Sequence, residues 1–395
     1  MARTCSYFPK CGGCASRNLP YDKQLEQKTA YIKNLLKPFG GKVAPCVGGA
    51  EDDCRNKVHL AFCTEKGAVR AGFFDSKTHR VVPIRSCPMH GDWYENLVTV
   101  VESWCAQCRI IPYEPRTGKG SLRYVAARYL GGKLMVTVVS QQPKLPGLDK
   151  LHRALEEQFG PTGLWLNIND RRDSAVFSQN FRYIAGPKKL RGELLGVKFE
   201  LSPDAFFQVN THMAEKMYAR ILDMAKEIGP DTVVDAYSGI GITSLLFAKA
   251  GMQVTSIEQV PSAVEDAKAM AKYNKLSDKV RALCGDCAKV LPKLHPKGDT
   301  LFFVDPPRRG LGESVCRTIV GFGPKYLLYL SCGPEALAED IRRLQKGGYK
   351  LRSAEPFDLF PHTDHVETVV CLSRKDIHER IKFDVNVEEL MENSN

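Results

Sequence analysis

The spacing of apolar positions along the chain changes character near residue 200. In residues 20–37, Tyr21, Leu25, Tyr31, Ile32, Leu35 and Leu36 recur at helical intervals among Lys and Gln, and Pro38 with Gly40-Gly41 ends the run. Strand-like runs follow at Val58–Phe62, Ala71–Phe74 and Val81–Ile84, then a helical pattern over 92–108. Arg123–Leu130 and Leu134–Val139, both rich in β-formers and joined through Gly131-Gly132, predict a hairpin. A helix near 148–158 and short strands at 164–168 and 197–201 complete a mixed α+β region. From 211–228, a long amphipathic helix, the grammar becomes strict alternation. Strands at 233–235, 253–258, 280–283, 301–305 and 326–331 are each followed by a helical stretch, and 349–356 and 366–372 are two final strands. This pattern predicts a doubly wound parallel sheet with one reversed edge strand from the final pair. The acidic tail after about residue 376 reads as a terminal helix or a frayed end.

Composition adds a domain count and a partner. The 395 residues fit two domains, 1–200 and 201–395, with ordinary proportions of hydrophobic (43%) and charged (26%) residues for a protein with sizeable cores. No apolar run is long enough to span a bilayer, and Met-Ala-Arg-Thr-Cys is not a signal-peptide start, so a cytoplasmic location is expected. The charge is uneven. Residues 1–200 hold 31 Lys+Arg against 18 Asp+Glu, a net of +13, whereas 201–395 hold 25 against 27, a net of −2. A basic first half is either a solvated surface or a polyanion site, and nucleic acid fits better than membrane because no basic amphipathic helix stands out. Fourteen cysteines in a reducing compartment are not a disulfide framework, so clustered ones point to metal or catalysis.

Candidate chemistry lies at strand ends. The buried-looking run Leu327–Leu330 stops at Ser331-Cys332-Gly333-Pro334, which puts the Cys332 thiol where open α/β sheets place their sites. Asp235-Ala-Tyr-Ser-Gly-Ile-Gly241 closes the first strand of the alternating region. It lacks the third glycine of a dinucleotide loop, and with Glu258 ending the next strand it suits an adenosyl ligand without phosphates; another nucleotide or a plain tight turn are the competing readings. Asp305-Pro-Pro-Arg308 fixes a carboxylate at a strand end beside Cys332, against the bland reading of a structural turn. In Pro203–Asn210 the paired phenylalanines suit a core, while Gln208 and Asn210 are placed to meet a ligand.

The motifs DAFFQVN (204–210), DAYSGIG (235–241), DPPRRG (305–310), YLSCGP (329–334) and FPHTDHVETV (360–369) resemble, in order and spacing, those of the S-adenosylmethionine-dependent RNA uracil-5-methyltransferase family. Cys5-x5-Cys11-Gly-Gly-Cys14 resembles the iron–sulfur motif of the 23S ribosomal RNA members. The resemblance covers essentially the whole chain and implies a Rossmann-like methyltransferase domain preceded by a smaller α+β RNA-binding domain with an iron–sulfur segment. It implies Cys332 as nucleophile toward uracil C6 and Glu367 as the base removing the C5 proton. It places cofactor contacts on Gln208, Tyr237, Glu258 and Asp305, with Asp286 near the adenine and Ile242 where relatives often carry a polar residue. Asp305 is divided between cofactor and substrate. Cys5, Cys11, Cys14 and Cys87 would hold a [4Fe–4S] cluster, with zinc as the chemical alternative; Cys105-x2-Cys108 and Cys284-x2-Cys287 are bystanders. The small β-barrel that begins many relatives is expected to be missing, and helix 20–37 to pack on the catalytic domain. Interleaved Arg123-Tyr124, Arg128-Tyr129 and Arg182-Tyr183 suit an RNA surface, with surface strands as the bland reading. The expected activity is 5-methyluridine formation in 23S ribosomal RNA. Transfer RNA is the alternative substrate, and an inactive iron–sulfur RNA-binding protein the alternative class.

Overall fold

Residues 3–295 and 298–374 are described by the structure, a computed structural model; the acidic tail expected after about 376 lies outside them. The chain folds as two units: one takes residues up to Arg17 with Ala50–Gly192 and Glu200–Thr211, the other Asn18–Gly49, Glu193–Phe199 and residues from His212 onward. Among the described residues no helix is long and apolar enough to cross a membrane.

The first unit is built on a seven-stranded sheet in the order Val81–Pro83, Ala68–Phe74, Lys57–Glu65, Leu122–Leu130, Lys133–Ser140, Thr162–Ile168, Phe181–Ala185. The Gly-Gly turn forms the expected hairpin, with Leu130 opposite Lys133. Only Lys133–Ser140 and Thr162–Ile168 run parallel, because helix Leu148–Phe159 carries the chain back between them. Leu151 and Leu155 of that helix and Tyr94, Leu97, Val101 and Trp104 of helix Asp92–Gln107 pack with Leu60, Val125, Val136 and Leu164 in one core.

The second unit carries an eight-stranded sheet: β1 (Lys42–Val43), β2 (Thr232–Ala236), β3 (Gln253–Glu258), β4 (Val280–Cys284), β5 (Thr300–Val304), β6 (Tyr326–Ser331), β7 (Tyr349–Phe357) and β8 (Glu367–Arg374). Its order is β1-β7-β8-β6-β5-β2-β3-β4. The strands from β4 to β6 are parallel, and the order reverses between β2 and β5, the position where such sheets open a ligand crevice. Two features depart from the pattern read along the chain. The reversed strand, β8, is interior, inserted antiparallel between β6 and β7, and the edge beyond β7 is covered by the two-residue β1. The burial of β8 explains this: seven of its eight residues are buried, a pattern that needs neighbours on both sides and cover on both faces. Helix Tyr21–Leu36 contributes Ile32 and Leu36 to the core of this second unit.

Candidate active site

Strand β6 is buried at all six positions, so it delivers Cys332 at a fixed point. The following Gly333 is required there: a Cβ on it would lie 2.4 Å from the Arg308 carbonyl oxygen, so the Cys332 turn and the Asp305-Pro-Pro-Arg308 turn press backbone on backbone. Register supplies the second group. Ser331 pairs with Thr368 across β6 and β8, which brings the next residues, Cys332 and Glu367, to the same end of the pair. Asp305 extends β5, its N–H donating to the Ala236 carbonyl at 3.3 Å.

Two acids and a thiol therefore lie close together, with Asp235 near enough to act on Asp305, and their protonation follows from crowding. Burial pushes the carboxyl of Glu367, only 5% exposed, up to about 7, with Arg308 pulling against it. Asp305 is driven well above the usual carboxylate range by burial, then by the negative charges of Glu367 and Asp235. Cys332 rises to about 11 through burial, Glu367 and Asp305, again opposed by Arg308. Cys332 and Asp305 are thereby shifted toward their protonated forms, while Glu367 titrates close to neutrality, where a general base works best.

The Asp235–Gly241 loop is held by its own acids. Asp235 is fully buried; its Oδ2 accepts from the Thr243 hydroxyl at 2.8 Å and from the Ser244 hydroxyl, while Oδ1 has no partner. Burial raises it to about 6. Tyr237 sits at φ 67°, a left-handed conformation unusual for an aromatic residue, followed by Gly239 and Gly241 at φ 53° and 83°. The Glu258 carboxylate accepts the Gly239 N–H at 3.0 Å and the Val260 N–H at 2.9 Å. Each oxygen keeps lone-pair capacity for a further donor, so the acid both shapes the loop and remains available to a ribose. Ile242 opens helix Ile242–Lys249 with its side chain buried, leaving only backbone for a ligand. Exposed Asp286 caps the next short helix through a 2.9 Å bond from the Ala288 N–H. Gln208 belongs to the first unit, buried, with its carbonyl accepting from Asn56 Nδ2 at 2.9 Å.

The four cysteines singled out for a cluster line one cavity of ≈ 360 Å³ in the first unit, with Arg17, Arg55, Lys57 and His90. His90 Nδ1 is 3.3 Å from Cys87 Sγ. Burial raises Cys11 and Cys14, and neighbouring thiols add to it while Arg55 opposes; burial takes Cys87 to about 12. Among the described residues no group of three or more His, Cys, Asp or Glu is placed to hold a single metal ion. Cys284 is exposed while Cys287 is buried.

Two groups escaped the sequence reading of the site. Arg308 is the cation facing both Glu367 and Cys332, although its motif was noted only for Asp305 and the prolines. Asp340 is 1% exposed and accepts from Leu311 N–H (2.7 Å), Tyr329 Oη (2.9 Å) and Arg343 Nη1 (2.9 Å), tying the segment after Arg308 to helix Pro334–Lys346. An acid among Leu337, Ile341 and Leu344 on the apolar face of that helix was the available signal. Two residues of the expected RNA-facing pairs also have partners within the first unit: Arg123 donates to the Asn169 carbonyl at 2.9 Å and to that of Arg171, and Tyr129 stacks on Trp93.

A parallel sheet with a reversed interior strand, a glycine loop at its switch point and an acid ending the next strand define a Rossmann-like methyltransferase fold. The comparisons agree and are more specific. Residues 297–375 match the family model described as tRNA (Uracil-5-)-methyltransferase, and 194–303 match the TRM5/TYW2 methyltransferase domain. An uncharacterized RNA methyltransferase of Bacillus cereus is 33% identical over 94% of this chain and 82% of its own. Another, from Caldanaerobacter subterraneus, is 35% identical over 94% of this chain and 84% of its own. The crystal structure of Pyrococcus abyssi tRNA (uracil-54, C5)-methyltransferase in complex with S-adenosyl-L-homocysteine superposes with a TM-score of 0.78 at 25% identity, covering 92% of this chain and 86% of that one. The chain belongs to the S-adenosylmethionine-dependent RNA uracil-5-methyltransferase family.

Proposed function

We propose that this enzyme methylates C5 of a uridine through a covalent adduct on Cys332. The observation that carries the reading is the meeting of a thiol and a near-neutral carboxyl at one end of the β6–β8 pair. Bound S-adenosylmethionine supplies an electrophilic methyl on a sulfonium; Tyr237, Glu258, Asp286, Asp305 and the Ile242 backbone would hold it. The unpartnered Oδ1 of Asp235 and the spare capacity of Glu258 support a polar ligand at this loop.

Cys332 Sγ, as thiolate, adds to C6, and the displaced π electrons make C5 nucleophilic. C5 takes the methyl as the S–CH3 bond breaks and S-adenosylhomocysteine is left; Glu367, as carboxylate, then takes the C5 proton, the C5–C6 double bond reforms and the Cys332 thiolate leaves. Asp305, pushed toward its protonated form by burial and then by Glu367 and Asp235, would donate a hydrogen bond to the uracil edge, and Arg308 offsets the thiolate and carboxylate charges. The 23S ribosomal RNA is the substrate we favour, from the cysteine motif; the four thiols lining one cavity support a [4Fe–4S] cluster there. Transfer RNA is the second reading, favoured by the substrate named for the Pyrococcus abyssi structure.

The test uses 5-fluorouridine-substituted 23S ribosomal RNA fragments and transfer RNA transcripts with S-adenosylmethionine. Fluorine leaves no C5 proton to remove, so a denaturation-resistant protein–RNA adduct should accumulate with the true substrate and vanish in Cys332→Ala. Methylation without any trapped adduct would reject the covalent mechanism.

A further inference from the structure

In the first unit, Lys57 and Arg128 face each other directly across antiparallel strands Lys57–Glu65 and Leu122–Leu130. Like charges at such a position repel, and burial of Arg128 strengthens the repulsion by limiting screening. Arg128 is 4% exposed; its Nη2 donates to the Ala205 carbonyl at 3.0 Å, while Nε and Nη1 are buried without partners. Among the described residues neither cation has a salt-bridge partner; Asp204 is the one carboxylate whose charge favours Lys57. Lys57 remains half-buried, so an anion has an approach. His59, on the same face two residues on, also has an unpartnered buried Nε2. Burial first, then the two cations, lowers it to about 4 and keeps it neutral, and burial followed by Arg128 brings Lys57 down to about 8 against the pull of Asp204. An orphaned buried guanidinium costs stability unless something pairs with it, and beside a second cation an anion with several acceptor oxygens is the partner that answers both the charge and the free donors.

We propose that Lys57 and Arg128 form a phosphate-binding subsite that takes one phosphodiester of the RNA substrate. The proposal rests on the reading of this chain as an RNA-modifying enzyme. Its position is mechanically useful, because Arg128 and the neighbour of Lys57 anchor the segment that bears Gln208: Arg128 holds the Ala205 carbonyl, and Asn56 holds that of Gln208. A phosphodiester seated here would therefore meet the segment through a shared set of donors. Lys57 also lines the cysteine cavity, so charge compensation for a cluster is the rival role.

The experiment measures filter retention of an unmodified 23S ribosomal RNA fragment and an unmodified transfer RNA transcript across a potassium chloride series, using full-length protein purified anaerobically. Arg128→Gln and Lys57→Gln should each weaken binding on the order of tenfold and flatten the salt slope by roughly 0.7–0.9. The loss should be alike on both RNAs, since a phosphate contact carries no sequence information, and Arg128→Lys should recover part of it. Without RNA, Arg128→Gln should melt higher than wild type, because it removes a repelled cation; a purely structural arginine would give a lower melting temperature. If Arg128→Gln fails to fold, Lys57→Gln at its half-buried site decides alone. Unchanged affinity and slope overturn the subsite, as does loss of cluster absorbance with the slope intact. If wild type neither binds nor methylates RNA, the parent reading falls too; if wild type methylates RNA and the variants keep its slope, only the subsite falls.

Discussion

Cys332 and Glu367 leave adjacent antiparallel strands at the same end, one residue beyond the Ser331–Thr368 pair. The Glu367 charge therefore bears on the protonation of the thiol. The carboxylate raises the thiol to about 11, after burial and together with Asp305, and Arg308 alone draws both groups toward their charged forms.

This coupling predicts a thiol that is slow at rest and faster when its neighbour is neutralised. Alkylation of Cys332 by iodoacetamide, followed by mass spectrometry of its peptide, should climb with pH throughout the range up to about 11. In Glu367→Gln the removed charge should shift that profile to lower pH, increasing the rate at pH 8 several-fold. An unchanged profile would mean the two groups do not interact.

The same carboxyl makes stability depend on pH. Its folded-state value, about 7, lies above the ordinary 4.5, so the folded protein binds the proton more tightly than the unfolded chain does. The advantage is complete below about pH 4.5 and is lost as pH rises through about 7. Glu367→Gln has no proton to lose. Urea unfolding should show the variant gaining on wild type across this window, reaching about 3 kcal/mol above pH 7, while methyl transfer stalls at the adduct.

The cysteine cavity predicts a coloured protein. Anaerobically purified enzyme should absorb in the visible and contain about four irons, and Cys87→Ser should lose both. A colourless preparation carrying zinc would reject the cluster.

The sequence by itself determined the alternating strands and helices after residue 200, the glycine loop, and the strand-end positions of Cys332, Asp305 and Glu258, because side-chain period and turn chemistry are local properties. The resemblance in its motifs then named the thiol and the base. Tertiary structure alone decided that β8 lies inside the sheet and not at its edge, since a buried run does not say which neighbours it pairs with. It also decided which charges are buried. Arg128 looks along the chain like one more surface arginine, and becomes an orphaned cation only when Lys57 is brought opposite it. Asp340 likewise becomes the tie for the segment after Arg308 only through partners 29 and 11 residues away in the chain. Charge and desolvation depend on distance in space, and strand pairing sets those distances.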